Sequence, residues 1–145
     1  FFSSTDNNFF ITGVQMEVGP VATEFEQEDI STTLAKCQRY YQKWLSDTVS
    51  DSVMTAAAIS DVAFIGDYFL KTSMRSVPTM GTSGTYKARL KTNDRAITGQ
   101  PSINRATTEN VQIFATIATD NNESGFAGFL KTDDDDAFLE FIAEL

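Results

Sequence analysis

What this chain lacks limits its chemistry first. The sequence contains no histidine and one cysteine, Cys37. No internal disulfide and no thiolate metal cluster can form from a single thiol. Without an imidazole, the Cys–His and Ser–His nucleophilic pairs and the commonest zinc sites are also excluded. Cys37 lies among apolar and aromatic neighbours, so it is expected to be a buried, inert thiol. Carboxylates are plentiful, and a glycoside-cleaving pair would need two of them roughly 5–10 Å apart, one with a raised pKa. Glu17, Glu24 and Glu26 are close in sequence, yet Glu17 and Glu26 flank a turn and nothing nearby would desolvate them. They are expected to be solvated strand ends, and no catalytic role is assigned. The run Asp133–Asp136 offers hard oxygens to calcium but lacks the spaced ligands and glycine of an EF-hand loop. A solvated loop is the expectation there, with a cation shared by three copies about a trimer axis as the alternative. No metal and no cofactor are expected.

If the chain binds a sugar, its aromatics are the residues to watch. Pyranose rings present an apolar C–H face to aromatic rings and hydroxyls to amides, carboxylates and guanidinium groups. Trp44, Tyr68 and Tyr86 combine an aromatic face with a polar handle and fall near strand ends or turns. Lys87, Arg89, Asn93, Asp94 and Arg95, with Asn121 and Asn122, supply the hydrogen-bonding complement on loops. The competing reading places the aromatics in a core or interface and makes the loops ordinary hydrophilic turns.

The elements that must hold these residues read as β. At 145 residues the chain has room for one full domain and a small appendage, and twelve phenylalanines can supply a core. No apolar run approaches the roughly 18 residues that would suggest a membrane span. The formal charge of −9 disfavours nucleic acid and anionic membrane, while a neutral glycan or a cationic partner patch stays compatible. The first residue is Phe1, which reads as a cut end of a longer protein. Residues 9–18 alternate as a strand until Gly19-Pro20 stops it. Asp29 or Ser31 can cap a short helical turn near Asp29–Ala35, followed by a strand through Trp44; a helix through Trp44 is the alternative. Strands are expected over Met54–Ile59 and Val62–Leu70 around a Ser60-Asp61 turn. An extended segment follows at Ser73–Thr79, then a strand near Thr85–Leu90 closed by Asn93-Asp94. Gly99-Gln100-Pro101 reads as a break, Val111–Ala118 as the longest alternating strand, and Asp120–Ser124 as a turn. Gly125–Lys131 and Ala137–Leu145 complete the set. Seven or so short strands with polar turns describe an antiparallel sandwich.

Three pieces of the chain resemble bacteriophage tail-fibre and receptor-binding proteins. They are Ile11–Gly19 with Ala22–Glu26, Leu34-Ala-Lys-Cys-Gln-Arg-Tyr-Tyr41, and Met74–Thr79 with the terminal Ala143-Glu144-Leu145. Glu24 stands where that family often has proline, and Ile142 where it commonly has aspartate. The resemblance implies an all-β protein. Residues 1–26 would be the remnant of an upstream carbohydrate-binding-like jelly roll or a connecting strand, and residues 27–145 a jelly-roll-like β-sandwich head. It also implies a homotrimer at the virion tail tip, attached to upstream fibre domains and binding host surface polysaccharide or a protein receptor. A trimerising connector without a ligand, or an accessory domain of a capsule depolymerase, are the alternatives. Residue pattern adds independent support for assembly. Thr55–Ile59 and Phe126–Leu130 are apolar on both faces, so they should be covered on both sides, by the chain's own core or by another subunit.

Overall fold

A computed structural model describes residues 11–25, 27–118 and 124–143. One helix, α1 (Ile30–Gln38), opens the folded body, and Asp29 caps it by accepting the Ser31 amide at 3.0 Å. Arg39-Tyr40 then turns the chain into β1 (Tyr41–Leu45), so the short helix followed by a strand matches the sequence reading. β1 pairs with β9 (Phe138–Ile142), which pairs with β4 (Thr79–Ser83), giving a small antiparallel sheet in the order β1-β9-β4.

The other six strands are β2 (Ser52–Ala58), β3 (Ala63–Phe69), β5 (Tyr86–Leu90), β6 (Asn93–Ala106), β7 (Asn110–Ile117) and β8 (Ala127–Thr132). They close into an antiparallel barrel in the order β2-β3-β7-β6-β5-β8. Mostly β structure with antiparallel sheets is therefore as expected, but a barrel stands where two facing sheets were expected. The reason lies in β6. Gly99-Gln100-Pro101, read from sequence as a break, sits inside this strand of 14 residues. The register against β7 slips between Thr98 and Ser102 and again between Ile103 and Arg105. Irregularities of this kind bend a strand without ending it. The bent β6 pairs with β5 through Asn93–Ala96 and with β7 through Ile97–Ala106, which joins what would have been two separate sheets.

Closure also needs small residues at one place. Ala56 in the middle of β2 stands opposite Gly66 on one side and Gly128 on the other. A Cβ at Gly128 would lie 1.9 Å from the Arg89 carbonyl oxygen, and one at Gly66 would lie 2.5 Å from that of Thr55. The backbones come closer here than any side chain allows. Inside, Phe64, Ala88, Leu90, Val111, Ile113 and Leu130 are buried, and Leu139 and Phe141 of β9 join the same core. The Phe141 ring stacks on Tyr68 with centroids 5.0 Å apart. β7 alternates as its sequence requires, with Val111, Ile113, Ala115 and Ile117 all buried.

Two polar clusters tie the connections down. The Gln42 side chain donates to the Gln38 and Thr72 carbonyls at 3.0 and 2.7 Å and accepts the Lys71 amide at 2.8 Å. Asp51 gathers the β1–β2 loop by accepting the Asp47 and Thr48 amides at 2.8 and 3.1 Å and the Thr48 hydroxyl at 2.9 Å. Ser46 and Thr132, both buried, lie 3.1 Å apart beneath it. These donors, with the Asp47 amide first, hold the Asp51 carboxyl below the usual carboxylate range.

Several sequence expectations are corrected. Residues 11–18 carry no strand, and none of the described residues pairs with them; Phe9 and Phe10 lie outside the described residues. Cys37 is exposed, since none of α1 is buried against the body. Asn93 and Asp94 begin β6, and the turn falls at Lys91-Thr92, where Lys91 takes a positive φ of 53°. Of the turn expected at Asp120–Ser124, only Ser124 is among the described residues.

Two outcomes follow for stability. Gly128→Ala should cost about 3 kcal/mol or prevent folding, as overpacking against backbone does. Gly99→Ala, at φ 74° with nothing within 4 Å, should cost only about 1–2 kcal/mol; urea unfolding reads both. Because folding lowers the Asp51 pKa, its contribution is present above the unfolded value near 4 and is lost as pH falls through the folded value. Asp51→Asn should therefore melt below the parent at pH 7, with the difference in Tm shrinking as the pH drops below about 4.

Candidate ligand-binding surface

Along β5, Tyr86, Ala88 and Leu90 face the core, which turns Lys87 and Arg89 to the outside of the barrel. Arg89 is in register with Asp94 of β6, and its Nη1 lies 3.2 Å from Asp94 Oδ1. Lys87 Nζ lies 2.6 Å from Asp133 Oδ1 and 3.6 Å from Asp94 Oδ2. The hydrogen bond to Asp133 is the main cause that raises the Lys87 ammonium above its ordinary pKa, against a smaller opposing effect of desolvation.

On the far side of β5, β8 alternates the same way. Gly128, Leu130 and Thr132 are buried, so Ala127, Phe129 and Lys131 point outward. Phe129 is the cross-strand neighbour of Arg89 on one side and of Thr55 on the other. Asp94, Arg89, Phe129 and Thr55 thus form one continuous row over β6, β5, β8 and β2. At the usual strand spacing that row is about 14 Å wide. Phe129 keeps 47% of its surface exposed, and Phe126 at the same end of β8 carries the Lys91 ammonium 3.8 Å above its ring. An open aromatic face bordered by a guanidinium–carboxylate pair and a hydroxyl can stack on an apolar ring face while donating to and accepting from hydroxyls.

Of the residues singled out from sequence, Lys87, Arg89 and Asp94 come together here. Asn93 begins β6 beside them, opposite Leu90. Arg95 pairs with the inward-facing Ala88, so it sits on the other side of β6, half-buried. Asn121 and Asn122 lie outside the described residues. The three aromatics are used for packing. Tyr86 is 4% exposed, with its hydroxyl 2.7 Å from the Phe138 carbonyl and 3.0 Å from that of Ser83. Burial raises its pKa. Tyr68 stacks on Phe141, and Trp44 is half-buried against the core.

Phe126 and Phe129 were missed as platforms because Phe126–Leu130 reads as covered on both sides. The signal was available in the alternation, since Gly128 and Leu130 claim the inner face and leave Phe129 outside. A second feature not read from sequence is an open cleft of about 490 Å³ where β4 faces the bulge of β6. Pro78, Met80, Pro101 and Ile103 give it apolar walls, and a Thr82–Gln100 hydrogen bond of 2.8 Å crosses it.

The acidic loop serves the fold. Asp134 Oδ2 accepts the Thr85 amide and hydroxyl at 2.5 and 2.7 Å, and Asp133 holds Lys87. No group of three or more metal-ligating residues exists among the described residues. Glu17 accepts from the Thr23 hydroxyl at 2.6 Å and from its amide, and these bonds lower its pKa. That is the reverse of what a protonated acid in glycoside cleavage requires. No protein-family model, no curated protein and no solved structure matches this chain.

The contrast between packed and open aromatics is measurable. Tyr86→Phe should cost about 1–2 kcal/mol in chemical unfolding, the usual loss for a buried hydroxyl's hydrogen bonds. Phe129→Ala should change stability by about 0.5 kcal/mol or less.

Proposed function

We propose that this chain is a receptor-binding head of a bacteriophage tail fibre, which grips carbohydrate on the host bacterial surface as a homotrimer at the virion tip. The observation that carries this reading is the exposed Phe129 set between the Arg89–Asp94 pair and Thr55. Its chemistry suits a polyol with an apolar face. A closed barrel presents such a row as firmly as the sandwich head that the resemblance implies, because either scaffold fixes strand register on both sides of the platform. The resemblance of Leu34–Tyr41 and Met74–Thr79 to tail-fibre heads supports the setting. The charge of −9 leaves neutral sugars as the natural ligand class, with affinity built from stacking and hydrogen bonds. Three such sites on one fibre tip would multiply a weak single-site affinity through avidity.

The second reading, a trimerising connector with the ligand held elsewhere, is favoured by the apolar side chains exposed along residues 11–34. Binding to host cells and to a glycan array separates the two. Phe129→Ala and Arg89→Ala should each weaken single-site binding about 10- to 100-fold, the range for lost charged hydrogen bonds and comparable contacts. Binding should persist at 0.5 M salt, as expected for a neutral sugar. Retention of full binding by both variants would remove this surface from the receptor site, and an absence of any binding by the parent trimer would leave the connector.

A further inference from the structure

β2 and β3 do not pair along their full lengths. Their ladder runs from Ala58 opposite Phe64 to Ala56 opposite Gly66 and stops there, although β2 reaches back to Ser52 and β3 continues to Phe69. Beyond that point each strand keeps its other neighbour, β8 for β2 and β7 for β3, and the two part like the sides of a wedge. The Ile59 amide donates to the Ala63 carbonyl at 2.9 Å, and backbone groups two residues apart on a strand point the same way. The Phe69 amide and carbonyl are therefore turned into the parting, away from β7.

An open cleft of about 390 Å³ occupies this parting, with the buried Val53 and Met54 among its walls. It adjoins a second opening of about 360 Å³, and Thr55, Asp67 and Phe69 line both. Asp67 and Phe69 face outward on β3, and Phe69 is 76% exposed. Gln112 Nε2 donates to Asp67 Oδ1 at 3.3 Å, which orients the carboxylate and leaves Oδ2 to accept from a ligand. Lys71 stands at the same cleft as a donor.

The cleft continues the Arg89 and Phe129 row. Thr55 belongs to both, as the cross-strand neighbour of Phe129 and as a wall of the cleft. Between the two rings the outer face carries Thr55, Ala57 and Ala127, all small. Two strands across and two residues along, Phe129 and Phe69 lie at least about 12 Å apart at the usual strand spacings. A single pyranose ring cannot touch both. A chain of linked rings can, with one face stacked at each end and hydroxyls meeting Arg89, Thr55, Asp67 and Lys71. A further β-strand does not fit the wedge. It would hold β2 and β3 about 10 Å apart over its whole length, whereas the Ala56 and Gly66 pair joins them at one end.

We infer that the parting of β2 and β3 is a second sugar subsite, where Phe69 stacks on, and Asp67 hydrogen-bonds, a ring further along the same glycan. The receptor is then gripped as a run of linked sugars, not as a single terminal one. This rests on the carbohydrate reading above and extends the Phe129 surface across β2 onto β3.

The probe is a ladder of fragments made from host surface polysaccharide by partial acid hydrolysis, each titrated against the 145-residue chain by calorimetry. Such fragments are monovalent, so avidity does not enter. Parent affinity should rise about 10-fold once a fragment is long enough to reach both rings, the scale of one added stacking contact with its hydrogen bonds. Phe69→Ala and Asp67→Ala should each remove most of that rise while leaving short-fragment affinity and the thermal transition unchanged. Phe129→Ala should weaken short and long fragments alike. Affinity independent of length, or a rise that survives both substitutions in β3, would overturn the second subsite and leave the Phe129 surface standing. A parent that binds no fragment of any length would overturn the subsite together with the carbohydrate reading. A Phe69→Ala variant that keeps the rise but sediments at lower mass than the parent would make the parting a contact between copies, which also overturns the proposal.

Discussion

The approach of three backbones at Gly66, Ala56 and Gly128 is the constraint on which the rest of the molecule depends. Six strands leave little room inside a barrel, and closure requires places where side chains are nearly absent. Here the inner row is glycine, alanine, glycine, so only the Ala56 Cβ stands between β3, β2 and β8, and Gly128 also lies against the Arg89 carbonyl of β5. One residue further along, the side chains reverse direction. Thr55 precedes Ala56 on β2 and Phe129 follows Gly128 on the antiparallel β8, which makes the outward row the reverse side of the constriction. The surface aromatic is therefore fixed by the same register that shuts the barrel. A slip of one residue would turn Phe129 into the core and bring Gly128 to the surface.

Strands were legible in the sequence wherever alternation ran cleanly. Val111–Ala118 is the clearest case, since Val111, Ile113, Ala115 and Ile117 required one buried face and occupy it. Asp29 was equally legible as a cap, because a short acceptor ahead of a periodic segment has few other uses. The errors arose where local signals and long-range pairing disagree. Gly99 and Pro101 are breakers by composition, yet β6 passes through them because a bulge accommodates both a positive φ and a missing donor. Cys37 has apolar neighbours in sequence that do not become neighbours in space, since the helix stands off the body. Of the candidate site, the cations and Asp94 were legible as polar groups near a turn. Their partner Phe129 was not, because its exposure depends on which way Gly128 faces. Tyr86 shows the opposite error: a polar handle suggested a surface role, and two backbone carbonyls occupy it.

Polar and apolar surfaces are divided along the molecule in an orderly way. In the folded body some rings sit beside cations, as with Lys91 over Phe126 and Lys43 3.9 Å from the ring centroid of the half-buried Phe138. Those contacts let a ring face water without forming a continuous apolar patch. Upstream of β1 large aliphatic side chains are exposed in succession from Ile11 to Leu34, whereas in the body they are exposed at scattered positions such as Leu45, Ile59 and Val77. The two regions differ in how they meet solvent.

The small sheet also has a mechanical consequence. The chain enters the body at Tyr41, whose β1 strand pairs over its whole length with β9, from Tyr41 opposite Ile142 to Leu45 opposite Phe138. Tension transmitted along the leading segment reaches this five-pair ladder before it reaches the barrel. A tug parallel to β1 loads the five pairs together in shear, whereas a sideways tug opens them in turn. The ladder is thus a fuse whose strength depends on the direction of pull, and the barrel behind it keeps its shape until the fuse gives way.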